Sequence, residues 1–226
     1  MLKAIFFDAG NTQVFPDPAR TLAPLHALGI TPSVEQLHAA ERATRLQRDQ
    51  AAAGGTLALG DEQYWRIYYT TLLGVLGLHD EAVLAALVQE ARRSGNWEFV
   101  RPGTRDALLR LRQRSRLGVI SNSDGRMEAL ITRVGLRDCF DAVIDSGTAG
   151  YEKPDPRIFQ AGLRALDAAA SESLYVGDVY SIDYVGAQAA GMQAMLFDVC
   201  GAYRGSQWPR VESLEELTQR LLQDGD

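Results

Sequence analysis

The chain has 226 residues, of which 46% are hydrophobic and 23% charged, and its formal net charge at pH 7 is −6. This length and composition allow one large globular domain or two smaller ones, and the acidic balance argues against a nucleic-acid-binding surface. No apolar run reaches the roughly 18 residues of a membrane span, and the N-terminal run is too short for a signal peptide, so we expect a cytoplasmic protein without membrane contact.

The first predicted element is a strand over residues 2–8, LKAIFFD, because a near-continuous apolar run is typical of a strand covered on both faces. Two prolines in FPDP then interrupt regular structure. From there to about residue 93 the pattern indicates helices only. One extends from Ser33 to the Gly54–Gly55 pair, and two others begin at the N-cap candidates Asp61 and Asp80.

After Gly95 predicted strands alternate with predicted helices. The strands cover residues 116–121, 140–146, 173–178 and 193–198. This alternation predicts an α/β fold with a doubly wound parallel sheet and right-handed crossovers. We therefore expect a core domain of residues 1–15 and 96–226 and an inserted all-helical domain of residues 16–95.

Polar side chains follow several of these strands, at the sheet edge where open α/β proteins bind ligands. They are Asp8, Ser121 with Asn122, and Gly177 with Asp178, followed by Asp183. Lys153 lies after the third strand, and Lys3 is the only other lysine among 23 basic residues. Each residue alone has an ordinary explanation as a helix cap, a turn residue or a solvated charge. Together they predict a site for a metal ion and a phosphate group.

The same residues form four ordered motifs that resemble those of the haloacid dehalogenase (HAD) superfamily. The motifs are Asp8-x-x-x-Thr12, Ser121-Asn122, Lys153-Pro154-Asp155-Pro156, and Gly177-Asp178-x-x-x-x-Asp183. The resemblance covers essentially the whole chain. It implies a Rossmann-like core with the first strand in the centre, and a helical cap inserted after that strand.

The resemblance also implies a chemistry, that of a Mg²⁺-dependent phosphatase acting on a small phosphorylated metabolite. Asp8 would be the nucleophile that forms an aspartyl-phosphate. Lys153 would neutralise Asp8, and the phosphate oxygens would be held by Ser121, Asn122 and Lys153. The implied Mg²⁺ ligands are Asp8, the carbonyl of Gly10, Asp178 and Asp183.

Gly10 departs from the family's phosphatase motif, which has a second aspartate two residues after the nucleophile as general acid and base. Glycine keeps the carbonyl ligand but removes the proton donor, whose contribution is typically about 10²–10⁴-fold. We therefore expect slow hydrolysis of alkyl phosphates and a smaller handicap with acyl phosphates, anhydrides or aryl phosphates. As replacement acids, Asp17, His26, His38 and His79 are candidates by residue type only, and so is a water molecule.

Two family activities that do without this aspartate fit the sequence poorly. Metal-independent dehalogenases lack the metal-binding form of the last motif, which Asp178 and Asp183 supply here. Phosphonate-cleaving members need a Schiff-base lysine in the cap, and no lysine lies between Phe15 and Trp97. The closest resemblance is to capped HAD proteins with a non-acidic residue at position 10.

Two alternatives come from other classes of protein. Gly10 also fits a catalytically impaired HAD-fold protein with a binding or regulatory role. A phosphoacceptor switch shares the Asp, Ser/Thr and Lys set, but its phosphoacceptor lies on a central strand preceded by an acidic pair near the N-terminus, whereas Asp8 lies on the first strand here and an inserted cap follows it.

Substrate choice would depend on the cap, since a closing cap excludes water and selects the substrate. Tyr64, Trp65, Tyr68 and Tyr69 either line a pocket there or form the cap's core, and their helical spacing favours the core. The sequence does not distinguish a monomer from a homodimer.

Overall fold

The structure is a computed structural model that describes residues 2–54 and 61–223. The chain forms two compact units. The first comprises Met1–Phe15, Val100–Asp198 and Ser206–Asp226, and the second comprises Pro16–Phe99 and Val199–Gly205. Among the described residues, none of the helices combines the length and apolar character of a transmembrane segment.

A parallel sheet forms the centre of the first unit. Within the described residues its six strands are β1 (Ala4–Phe7), β2 (Arg116–Ser121), β3 (Ala142–Asp145), β4 (Ser173–Gly177), β5 (Gln193–Phe197) and β6 (Arg210–Val211). Their order is β3-β2-β1-β4-β5-β6, and every pairing is parallel. The predicted doubly wound α/β fold is confirmed, with the first strand in the centre.

The helices of the described residues follow in chain order: α1 (Pro18–Thr21), α2 (Ala23–His26), α3 (Val34–Ala53), α4 (Asp61–Val75), α5 (Glu81–Ala91), α6 (Thr104–Arg112), α7 (Met127–Arg133), α8 (Ser146–Ala149), α9 (Pro156–Ala165), α10 (Val185–Ala189) and α11 (Leu214–Gln223). Short 3₁₀ turns lie at Ser94–Asn96, Arg137–Cys139 and Ala170–Glu172, and Tyr180–Tyr184 forms a π-helical turn.

The burial of the β1 side chains fits the central position of this strand in the sheet. All four of its side chains are buried, as expected for a strand covered by helices on both faces. Phe6 and Phe7 are among the largest fully buried side chains, and Tyr175 on neighbouring β4 is another. The apolar run read from the sequence is therefore part of the core of the first unit.

The second unit is helical and has its own core. Helix α3 begins at a capping box, in which Ser33 Oγ accepts from Gln36 N (3.2 Å) and Gln36 Oε1 accepts from Ser33 N (2.8 Å). It ends at Gly54, while Gly55 lies outside the described residues. Trp65 contacts the rings of Tyr64, Tyr68 and Tyr69 in this core, so the core interpretation of the four aromatic residues is correct.

The observed division differs from the predicted one at two segments. Residues 96–99 and 199–205, which we assigned to the core, group with the helical unit. Tyr203 Oη donates to Asp49 Oδ2 (2.9 Å) and Arg42 donates to the Cys200 carbonyl (2.9 Å), which ties the second segment to α3. Strand β6 and helices α8 and α11 were not predicted from the sequence, and the short helices α1 and α2 were not singled out.

Candidate active site

Asp8 lies at the carboxyl edge of the sheet, one residue beyond β1. In the parallel register Phe7 is opposite Val119 of β2 and Val176 of β4, so these three strands end at the same edge. The Asp8 amide donates to the Val176 carbonyl (2.9 Å), which extends the ladder to the carboxylate-bearing residue. A strand end at the centre of the sheet therefore presents Asp8 where ligands of this fold bind.

Three carboxylates converge at this edge. One oxygen from each of Asp8, Asp178 and Asp183 lies within 4.8 Å of the other two. The side chains are almost fully buried, with 9%, 4% and 2% of the residue surface exposed. Such a cluster is unfavourable unless cations or hydrogen-bond donors compensate it.

Lys153 compensates part of this charge from the loop before α9. Its Nζ donates to Asp8 Oδ1 (2.7 Å), to Asp183 Oδ1 (2.7 Å) and to the Tyr175 hydroxyl (2.9 Å). An ammonium group has three N–H donors, so all three have protein acceptors here. Lys153, the buried one of the two lysines, thus joins the first and last motifs directly.

The pKa values of the pair reflect this environment. Burial raises the pKa of Asp8 above its ordinary value, and Lys153 offsets only part of that rise. Burial also acts to lower the pKa of Lys153, but Asp183 and Asp8 outweigh it and hold the pKa above the ordinary value. The lysine is therefore charged at neutral pH, and a further positive charge beside Asp8 would act to lower the pKa of that carboxyl again.

The donor set fits a hard divalent cation. The three carboxylates supply only oxygen ligands, as Mg²⁺ prefers. With all three ionised and Lys153 protonated, the cluster has a formal charge of −2. A divalent ion would neutralise it.

Asp183 reaches the cluster because Gly177 leaves room for it. A Cβ on Gly177 would lie 2.4 Å from Asp183 Cγ, closer than any real contact. Asp183 Oδ2 also accepts from the Val179 amide (2.9 Å), and the π-helical turn that follows holds the residue in this position. The glycine of the last motif is therefore a steric requirement.

Ser121 is the last residue of β2 and Asn122 directly follows it, but the two residues differ in their contacts. The Ser121 side chain is buried, and its hydroxyl makes no hydrogen bond to the part of the chain that the structure describes. The side-chain amide of Asn122 makes two hydrogen bonds to the backbone of Lys153. Its Nδ2 donates to the Lys153 carbonyl (3.0 Å), and its Oδ1 accepts from the Lys153 backbone N–H (2.7 Å). Asn122 therefore holds the lysine backbone, and its phosphate-binding role stays a prediction.

The loop after Asp8 is ordered by its backbone. The Ala9 carbonyl accepts from the amides of Gln13 (2.8 Å) and Val14 (3.0 Å), and Gly10 forms an isolated bridge with Val14. The Thr12 hydroxyl is buried without a hydrogen-bond partner in the described chain. The carbonyl-ligand role of Gly10 likewise stays a prediction.

Two polar residues of this region were missed by sequence analysis. Tyr175 gave no signal because aromatic residues are common in strands. Asp145, at the end of β3, accepts from the amides of Gly125, Gly147 and Met127 (each 2.9 Å) and so orders the segment after β2. It follows a strand as Asp8 does, and its position alone could have marked it.

Among the candidate replacement acids, Asp17 already has structural partners. Its Oδ1 accepts from the Ala19 amide (2.9 Å) as the N-cap of α1, and its Oδ2 lies 3.5 Å from Arg20 Nε. The three histidines lie in the helical unit.

A family profile described as haloacid dehalogenase-like hydrolase matches residues 2–191. The chain belongs to this family. The resemblance read from the four motifs is therefore confirmed at the level of family, fold and hydrolase class.

Some relatives of this chain have names more specific than the family description. The human "Haloacid dehalogenase-like hydrolase domain-containing protein 3" is 34% identical over 182 residues, which cover 78% of this chain and 72% of the human protein. The "Glyceraldehyde 3-phosphate phosphatase" of Methanothermobacter thermautotrophicus is 31% identical over 201 residues, with 87% and 85% covered.

Solved structures show the same fold. The HAD-hydrolase YfnB from Bacillus subtilis bound to magnesium has a TM-score of 0.67 at 20% identity, with 97% of this chain and 98% of that chain covered. A 2-haloacid dehalogenase from Pseudomonas syringae has a TM-score of 0.59 at 27% identity, with both chains fully covered.

Proposed function

We propose that this protein is a Mg²⁺-dependent phosphatase that hydrolyses a small phosphorylated metabolite through an aspartyl-phosphate on Asp8. One observation carries the proposal: Lys153 links Asp8 to Asp183 by two 2.7 Å ion pairs, inside a cluster of three carboxylates. A buried nucleophile beside a fixed cation and an all-oxygen metal site suits phosphoryl transfer. The archaeal relative that is named a phosphatase supports the same reaction class.

In this mechanism the Asp8 carboxylate attacks phosphorus, and the bond from phosphorus to the leaving oxygen breaks. The Ser121 hydroxyl, free of protein partners in the described chain, holds an oxygen of the transferring group. Lys153 keeps Asp8 oriented and reduces its repulsion of the incoming phosphate. Water then attacks the phosphorus of the aspartyl-phosphate, which releases phosphate and regenerates the carboxylate.

Asp8, Asp178, Asp183 and the Gly10 carbonyl would hold the Mg²⁺ ion. When bound, the ion would supply the positive charge that lets a carboxylate and a phosphate approach each other. Asp183 already accepts hydrogen bonds at both oxygens, from Lys153 and Val179, so we assign it a water-mediated role.

Gly10 narrows the substrate class. Glycine has no acidic side chain that could protonate an alkoxide leaving group. The proposed substrates are therefore acyl phosphates, phosphoanhydrides or aryl phosphate esters. The helical unit, as a cap, would choose among them.

The test is hydrolysis of an aryl phosphate with and without Mg²⁺ by wild type and Asp8→Asn. We expect Mg²⁺-dependent turnover that Asp8→Asn abolishes. Lys153→Met should lower kcat by about 10²-fold or more, as expected for loss of a charge-stabilising group. Lys3→Met is the matched control, because Lys3 is exposed and pairs only with Glu172 among the described residues; it should retain full activity.

Equal turnover by wild type and Asp8→Asn would contradict the proposal. Release of halide from a 2-haloacid without metal would favour dehalogenation, the activity named for the Pseudomonas syringae protein.

The second candidate function, a HAD-fold binding or regulatory protein, is motivated by Gly10. Metal-supported binding of phosphate compounds without turnover across a broad panel would favour it.

A further inference from the structure

Tyr175 is the one member of the hydrogen-bonded cluster to which the proposed chemistry gives no role. Its hydroxyl accepts from Lys153 Nζ (2.9 Å) and lies 3.0 Å from the Ile120 carbonyl and 3.2 Å from Asp183 Oδ1. A phenol has a single O–H, so it donates to one of these two oxygens while it accepts from the lysine. The hydroxyl thus connects β4, β2 and the loop that bears Lys153.

The ring of Tyr175 is held rigidly. The residue is fully buried on β4, and its ring packs edge-to-face on Phe159 at 4.9 Å between centroids and 75° between planes. Phenylalanine would fill the same volume. The hydroxyl is therefore needed for its hydrogen bonds and not for packing.

Without that hydroxyl, one N–H of Lys153 would have no acceptor in a buried site. Such a donor retains its full desolvation penalty, so the ammonium would move towards another acceptor or towards water. Asn122 fixes only the backbone of Lys153, by bonds of 2.7 Å and 3.0 Å. The long side chain depends on acceptors at its end.

We propose that Tyr175 is a positioning residue that holds the Lys153 ammonium between Asp8 and Asp183 and does not itself contact substrate. A neutral phenol suits this task, because a third carboxylate beside Lys153 would add repulsion and compete for the lysine. The catalytic consequence of this proposal rests on the proposed phosphatase function. The placement of the lysine does not.

The amino-acid composition of the chain makes the position of the Lys153 ammonium group directly measurable. Lys3 and Lys153 are its only lysines, and their side chains are 67% and 3% exposed. Protein labelled with ¹⁵N at lysine Nζ therefore gives two ammonium signals. The Lys153 protons should exchange slowly with water because they are buried and bonded to three acceptors.

The variant is Tyr175→Phe, and its matched control is Ser173→Ala. Ser173 is a fully buried residue two positions earlier, at the start of the same strand, and its hydroxyl donates to a backbone carbonyl outside the cluster, that of Ala169 (2.8 Å). We expect Tyr175→Phe to speed exchange of the Lys153 protons about fivefold or more, and Ser173→Ala to leave it unchanged. A smaller change in Tyr175→Phe, or an equal one in the control, would overturn the placement.

Kinetics test the consequence. With an aryl phosphate we expect Tyr175→Phe to lower kcat about tenfold or more and to change KM by a smaller factor, since a misplaced lysine weakens the transition state more than it weakens substrate binding. A loss confined to KM, or no loss, would overturn the catalytic role. If wild type shows no turnover, the phosphatase proposal fails, while the exchange measurement still decides the role of Tyr175.

Should Tyr175→Phe fail to fold, wild type suffices. A nuclear Overhauser contact between the Lys153 ammonium protons and the Tyr175 ring or hydroxyl proton is then required, and its absence would overturn the proposal.

Discussion

Gly10 separates this chain from the aspartate-bearing motif that its other residues resemble. Its bridge to Val14 is an extended arrangement, and its φ is not in the left-handed region, unlike that of neighbouring Asn11 (φ 52°). A residue with a side chain can therefore adopt this backbone. The backbone conformation at position 10 therefore does not by itself require glycine.

We predict that Gly10→Asp increases the turnover of alkyl phosphates by about 10²-fold, because it restores a general acid where the leaving group needs one. Gly10→Asn is the matched control, because the asparagine side chain has the size of aspartate but cannot act as a general acid. Hydrolysis of an alkyl and an aryl phosphate by the three proteins is the measurement. Equal rates for the Asp and Asn variants would mean that the loop does not present position 10 to the leaving oxygen.

At the scale of elements, local signals placed most helices but not all. Helices α3 and α5 begin where Ser33 and Asp80 predicted them, because N-caps are local. Helix α11 has the same kind of local signal, since Ser213 Oγ accepts from Glu216 N (3.1 Å) in a Ser-x-x-Glu pattern. Strand β6 has two residues and shows no periodicity, so its pairing with β5 could not be read from the sequence.

Helix α9, which follows the lysine loop, gives a prediction for pH. Its N-cap Asp155 accepts from the Arg157 amide (2.9 Å), and the side chain of Arg157 lowers the pKa of Asp155 from 3.8 to about 2. A carboxyl with a lowered pKa in the folded state stabilises it above pH 3.8, and this contribution is lost as the pH falls towards 2.

Asp155→Asn should therefore unfold at a lower temperature than wild type at about pH 5, and the difference should shrink as the pH is lowered to about 2. Asparagine is a good N-cap but does not titrate, so the comparison isolates the charge. Thermal unfolding of both proteins across this range is the measurement. A difference that stays constant with pH would show that the Arg157 pair does not depend on the carboxylate charge.

At the scale of the whole molecule, the fold and the charged members of the site could be predicted, because parallel strands bring residues more than a hundred positions apart to one edge. Asp8 and Lys153 are 145 residues apart in the chain and 2.7 Å apart in space. Two features could not be predicted, since each depends on tertiary contacts with no local pattern. Tyr175 looks like any strand aromatic, and residues 199–205 join the helical unit only through contacts such as Tyr203 with Asp49.

The central claim is that Asp8 accepts the phosphoryl group, and chemical trapping tests it most directly. Trypsin cleaves after Lys3 and Arg20, so Asp8 lies in a peptide of residues 4–20 that also contains Asp17. Enzyme mixed with Mg²⁺ and an aryl phosphate is quenched in acid and treated with borohydride, which reduces an aspartyl-phosphate to homoserine. Mass spectrometry should find homoserine at position 8 in wild type and none in Asp8→Asn. Turnover without modification, or modification at Asp17, would contradict the account.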